Sequence, residues 1–170
     1  MLQSLDIFTL GVCSTLASSA FGTVFFALWR RDPAERHLLH WALSSWIYAV
    51  VLVGLFASVG HSLALGAMFF ALMGFTDILV VSGVYRLNGE TPFRRWMIVP
   101  ILAPPIGHSL PILLGVADHS PLAEVSEAIG LAIAMGLSGL AVFARAAASI
   151  RAARRSRASR SWPIFPAISP

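Results

Sequence analysis

Asp77 is the residue in this chain best placed to do chemistry. It sits inside an apolar run, about eight residues or about 12 Å of helix from the run's charged end. A carboxyl at such a depth in a membrane can relay a proton, bind a cation or hold a helix contact. The plainer alternative is a protonated Asp77 bonded to Thr76, Ser82 or a hydroxyl of the first apolar run. His108 is the second candidate. It lies in a run interrupted by Pro100, Pro104, Pro105 and Pro111. Proline removes an amide donor and leaves a carbonyl unpaired, so a kinked or partly unwound segment is expected here. Such a segment can line a ligand pocket around Pro104, Pro105 and His108, or be a bend packed on its neighbours.

The remaining reactive residue types form no recognisable constellation. His61, Asp118 and His119 fall on one face of the membrane, with Glu124 and Glu127 near the start of the last apolar run, but their spacing matches no metal-ligand motif and solvation is the expected role. His37 and His40 stand three apart without a histidine at equal depth elsewhere, so no haem is expected. All twelve basic residues are arginine, and the absence of lysine excludes a Schiff-base cofactor and a P-loop. Cys13 is the single cysteine, which excludes an intrachain disulfide and a CxxC site. No pair of catalytic acids, no nucleophile beside a base and no Gly-rich phosphate loop is present. The chain is therefore not expected to be an enzyme, and no metal or cofactor is expected.

The elements that must position these residues are set by composition. Of 170 residues, 57% are hydrophobic and 12% charged, against about 25% charged in ordinary soluble domains. The mean hydropathy of +0.78 agrees with a membrane protein. Apolar runs of about 20 residues cross about 30 Å of hydrocarbon as helices. Five are read, over 7–29, 38–59, 63–85, 96–116 and 123–147, with a tight turn at Gly60, His61 and Ser62 between the second and third. The expected fold is an all-α bundle of five transmembrane helices.

The arginines orient that bundle. Arg30, Arg31 and Arg36 lie between spans one and two, and Arg86, Arg94 and Arg95 between spans three and four. Arg145, Arg151, Arg154, Arg155, Arg157 and Arg160 lie at the end of span five and after it. With five spans every arginine falls on one side. The positive-inside rule makes that side cytoplasmic, with the N-terminus out and the C-terminus in. Trp29, Trp41 and Trp96 are expected at the same interface. The first span lacks a basic leader and its apolar run is too long for a signal peptide, so it is expected to be retained.

Small residues line two spans. Gly11, Thr15, Ser19 and Thr23 recur at intervals of four in span one, flanked by Ser14, Ser18 and Gly22. Gly130, Ala132, Ala134, Gly136 and Gly139 play the same part in span five. Such stripes let helices approach closely, with hydroxyls bonding across, either within the bundle or in a homodimer. Residues 148–170 are expected to form a basic, disordered cytoplasmic tail, although 146–160 can prolong the helix along anionic headgroups. Three prolines in the last eight residues cannot continue it. No nucleic-acid partner is expected.

Three stretches resemble the N-terminal membrane region of bacterial diguanylate cyclases, the GGDEF proteins. Leu5-Asp6-Ile7-Phe8-Thr9-Leu10 opens a long first span that ends in Trp29-Arg30-Arg31, and His40-Trp41-Ala42 begins the second. The third ends in Gly83-Val84-Tyr85-Arg86-Leu87-Asn88-Gly89-Glu90-Thr91-Pro92, similar to the G-x-x-R-x-x-G-x-x-P turn of those regions. The likeness covers 5–148. It implies a multi-pass inner-membrane sensory or anchoring module that passes a signal to a cytoplasmic cyclase domain. No GGDEF motif is present, so no catalytic residue carries over, and the signalling domain is expected to be encoded elsewhere, as in a truncated or frameshifted relative or a stand-alone sensor. The alternative from another class is a small transporter or channel subunit using Asp77 and the proline-broken fourth span.

Overall fold

A computed structural model describes residues 2–58, 62–118 and 120–160, with side chains described over 8–57, 62–118 and 120–151. The described chain is all helix. α1 spans Leu2–Arg31, α2 Arg36–Ser58, α3 Leu63–Leu87, α4 Ile98–Leu113 and α5 Pro121–Arg160, and a 3-10 turn, Arg95–Met97, leads into α4. Five helices are long and apolar enough to cross a membrane, which makes the chain a multi-pass membrane protein. The expected turn at Gly60 and His61 lies outside the described residues.

α3 is the hub. It packs on α2, α4 and α5, whereas α1 packs chiefly on α2. Inside the bundle 39% of the α3 span is buried, against 6% of the α1 span. Ile78, Val81, Tyr85 and Met97 form the core, and Trp96, Ile101, Ala141 and Val142 close around it. Lipid is as apolar as a helix surface, so packing rests on shape and on polar bonds between helices. The shape comes from aromatic rings seated on glycines. A Cβ on Gly11 would overlap Phe56, and one on Gly22 would overlap Trp46, so the small-residue face of α1 is its contact with α2. The hydroxyls of that face do not bond across, however. Thr15, Ser19 and Thr23 donate to the carbonyls of Gly11, Thr15 and Ser19 within α1. A hydroxyl one turn from a helix carbonyl satisfies itself locally at little cost in order.

Two tryptophans turn inward rather than serving only as interface anchors. Trp41 Nε1 donates to the Val80 carbonyl at 3.3 Å, and its indole covers Gly83. Trp96 packs on the core. Ser44 adds a buried bond to the Thr76 carbonyl at 2.9 Å, joining α2 to α3.

Of the two forms expected for the fourth span, kinked or partly unwound, α4 overturns the unwound one. It runs as a helix from Ile98 to Leu113 with Pro104, Pro105 and Pro111 inside it. Its neighbours explain this. Pro104 cannot bond the Pro100 carbonyl, and that carbonyl lies against Gly74 of α3, where a Cβ would overlap it. On the other side, a Cβ on Gly107 would stand 2.6 Å from the Ser126 carbonyl, and one on Gly130 2.6 Å from the Ala103 carbonyl. Two helices thus touch backbone to backbone, with Cα–H groups facing carbonyl oxygens.

α5 corrects the other boundary. The helix runs on to Arg160, so the segment 148–160, expected as disordered, is helical. Alanine and arginine are among the best helix formers, which favours propagation past the membrane. The remainder of the expected tail, 161–170, lies outside the described residues. In α5 the inward row includes Gly130, Ala134 and Ser138, while Ala132 and Gly136 face outward, so the span-five stripe divides between two faces.

Candidate functional site

His108 and Glu127 form the site. α4 and α5 are joined by a short turn in which Gly115, at φ 83°, takes the left-handed conformation that ends α4. The Gly115 and Val116 amides bond the Ile112 and Pro111 carbonyls at 3.0 Å and close the helix end. This reversal sets the two helices antiparallel. His108 lies five residues before the end of α4 and Glu127 six residues after the start of α5, each about 8–9 Å deep. Gly107 and Gly130, at the close α4–α5 contact, bring the backbones near enough for the side chains to meet.

The pair is geometrically specific. His108 Nδ1 stands 3.2 Å from Glu127 Oε2. The imidazole stacks on Phe70 of α3, with centroids 4.6 Å apart and planes at 29°. Its other nitrogen, Nε2, points at Gly66, where a Cβ would come within 2.6 Å. Three helices therefore hold one ring: Glu127 orients it, Phe70 covers a face and Gly66 leaves room for its edge. The contact between Nδ1 and the carboxylate couples α4 to α5 by a polar bond as well as by shape.

Asp77 is not part of this group. It lies on α3, 7 residues beyond Phe70 and 11 beyond Gly66 toward the arginine end, so about 10–16 Å separates it from the imidazole along the helix. Its side chain is half-buried and has no hydrogen-bond or ion-pair partner among the described residues. The hydroxyls expected to receive it are engaged elsewhere: Thr76 donates to the Met73 carbonyl at 2.7 Å and Ser82 to that of Leu79 at 2.9 Å. Pro104 is fully buried against α5 at Gly130, and Pro105 is half-buried beside it. Pro104 belongs to the α4–α5 contact that places His108.

At the other end α5 is tied down again. Arg145 Nη2 lies 2.8 Å from Glu90 Oε2, and Arg94 Nη2 reaches the same oxygen at 2.6 Å. Arg30, Arg31, Arg36, Arg86 and Arg95 border this end of the bundle at the helix termini that face it.

Glu127, placed by the sequence near the start of span five but read as solvated, is the site residue whose partner was missed. The usable signal was depth: His108 and Glu127 lie nearly equally far from the turn that joins their spans. His37 pairs with Glu35 at 3.1 Å, and His40 Nδ1 meets the Arg36 carbonyl at 2.9 Å, so both are engaged at the helix start. His61 and His119 lie outside the described residues. No family model, curated protein or solved structure matches this chain.

Proposed function

We propose that the chain is a membrane sensory or anchoring module that passes a change in helix packing to a cytoplasmic segment, without catalysis of its own. One observation carries the reading. α5 is a single unbroken helix, bonded to α4 through Glu127 and His108, bonded to the α3–α4 turn through Glu90 and Arg145, and continued to Arg160. A helix fixed at two levels and stiff between them moves as a unit. Altered packing at the imidazole then displaces the segment beyond Arg145. A ligand or proton drives this by favouring one packing over the other. The likeness to the membrane regions of GGDEF cyclases supports the same role. The arginine end is assigned to the cytoplasm of a bacterial inner membrane, giving N-out and C-in.

The test is a fusion of an active diguanylate cyclase domain after Arg160, with cyclic di-GMP measured in cells at matched fusion levels. Output is expected to change with His108→Leu and with Glu127→Leu. Identical output from the wild type, both variants and the soluble domain alone would sink the reading.

A transporter or channel subunit is the second reading, favoured by the half-buried Asp77 carboxyl and its lack of a partner among the described residues. It expects flux in proteoliposomes that Asp77→Asn abolishes. The sensory reading expects no flux in the wild type.

A further inference from the structure

We propose that Arg94 and Arg145 form a binding site for the phosphate of an anionic phospholipid. The local backbone builds it. α3 ends in a left-handed Gly89, φ 71°, whose amide bonds the Arg86 carbonyl at 3.0 Å while the Glu90 amide bonds the Tyr85 carbonyl at 2.8 Å. That closure places Glu90 beside Tyr85. Both guanidinium carbons lie over the buried Tyr85 ring, Arg94 at 4.9 Å and Arg145 at 4.7 Å from its centroid. The ring face attracts each cation and holds its plane.

The charges do not cancel. Two guanidiniums share one carboxylate oxygen, which leaves a net charge of +1 in the cluster. A guanidinium has five N–H donors; Arg94 donates one to Glu90 and Arg145 meets the same oxygen as an ion pair at 2.8 Å, with no other side-chain acceptor for either among the described residues. Arg86 and Arg95, both exposed, add charge around it. Arginine forks fit phosphate oxygens in pairs, and the ordered pair presents donors without first losing side-chain entropy.

The surroundings favour a lipid over a free anion. Arg94 adjoins the apolar span that begins at Arg95, and Arg145 lies within the one that ends at Arg151, so the cluster stands where spans meet the membrane surface. A phospholipid whose phosphate is held there keeps its acyl chains in the adjoining bilayer, which a free phosphate does not use.

The proposal is independent of any signalling role. It is tested by native mass spectrometry of the full chain in mild detergent, supplied with phosphatidylglycerol or with phosphatidylcholine of the same chains. Phosphatidylglycerol is expected to be retained preferentially. Arg94→Gln with Arg145→Gln is expected to weaken retention by about fivefold for each arginine removed. Arg30→Gln with Arg31→Gln, at the end of α1, is expected to leave it unchanged. Glu90→Gln removes the competing carboxylate and is expected to raise retention, an effect that misfolding cannot imitate. Equal losses from the two arginine pairs would show diffuse charge and overturn the proposal. So would displacement of the lipid by inorganic phosphate, or reduced retention in Glu90→Gln.

Discussion

His108 on α4 and Glu127 on α5 meet at 3.2 Å within the membrane-spanning part of the bundle, while the imidazole lies flat on Phe70 of α3. Removing one partner leaves the other half-buried and unbonded. Glu127→Leu is expected to destabilise the protein by about 1–3 kcal/mol. Replacing both, with His108→Leu as well, is expected to cost less than the sum of the single changes, because no orphaned polar group remains. Thermal unfolding in detergent of the four proteins of this cycle checks the relation; strictly additive losses would show that the pair is not coupled.

The α4–α5 contact depends on two missing side chains. Gly107→Ala puts a methyl 2.6 Å from the Ser126 carbonyl, and backbone cannot yield as a side-chain end can. A loss of roughly 1–3 kcal/mol is expected from the overpacking. Gly136→Ala, on the same helix as Gly130 but with no atom within 4 Å, is expected to be neutral or to stabilise by up to about 1 kcal/mol through helix propensity. Paired measurements of unfolding midpoint distinguish the two, and equal effects would contradict the close approach.

Ser138 is a buried hydroxyl on α5 without a hydrogen-bond partner among the described residues. Burying an unsatisfied polar group costs free energy that an apolar side chain does not. Ser138→Ala is expected to leave stability unchanged or raise it by about 1 kcal/mol. A drop in unfolding midpoint would mean that the hydroxyl is bonded in the membrane.

Orientation has its own check. An alkaline phosphatase fused after Arg160 is expected to be inactive, and one inserted at Asp118, in the α4–α5 turn, to be active. The enzyme folds only outside the reducing cytoplasm, where its disulfides form. The reverse pattern would place the arginine end outside.

The number of spans and the all-helical class were legible in the residues alone. In a bilayer each crossing segment must satisfy its own backbone, so an apolar run of sufficient length has one solution, and that decision is local. Helix ends were less legible: span four was read on to 116, whereas α4 ends at Leu113 and Gly115 closes it in the left-handed conformation. What only the tertiary structure decided is which side chains meet. Lipid-facing and core-facing positions are equally apolar, so hydropathy does not reveal the rotation of one helix against the next. Glu127 was therefore read as a solvated carboxylate near the start of span five, though rotation of α5 against α4 brings it to His108. Asp77 was matched with hydroxyls that bond their own helices instead. The prolines of α4 were read as a break, because proline's effect on its own helix is local knowledge. The glycine of α3 that accommodates the Pro100 carbonyl lies 26 residues earlier, and only packing brings the two together.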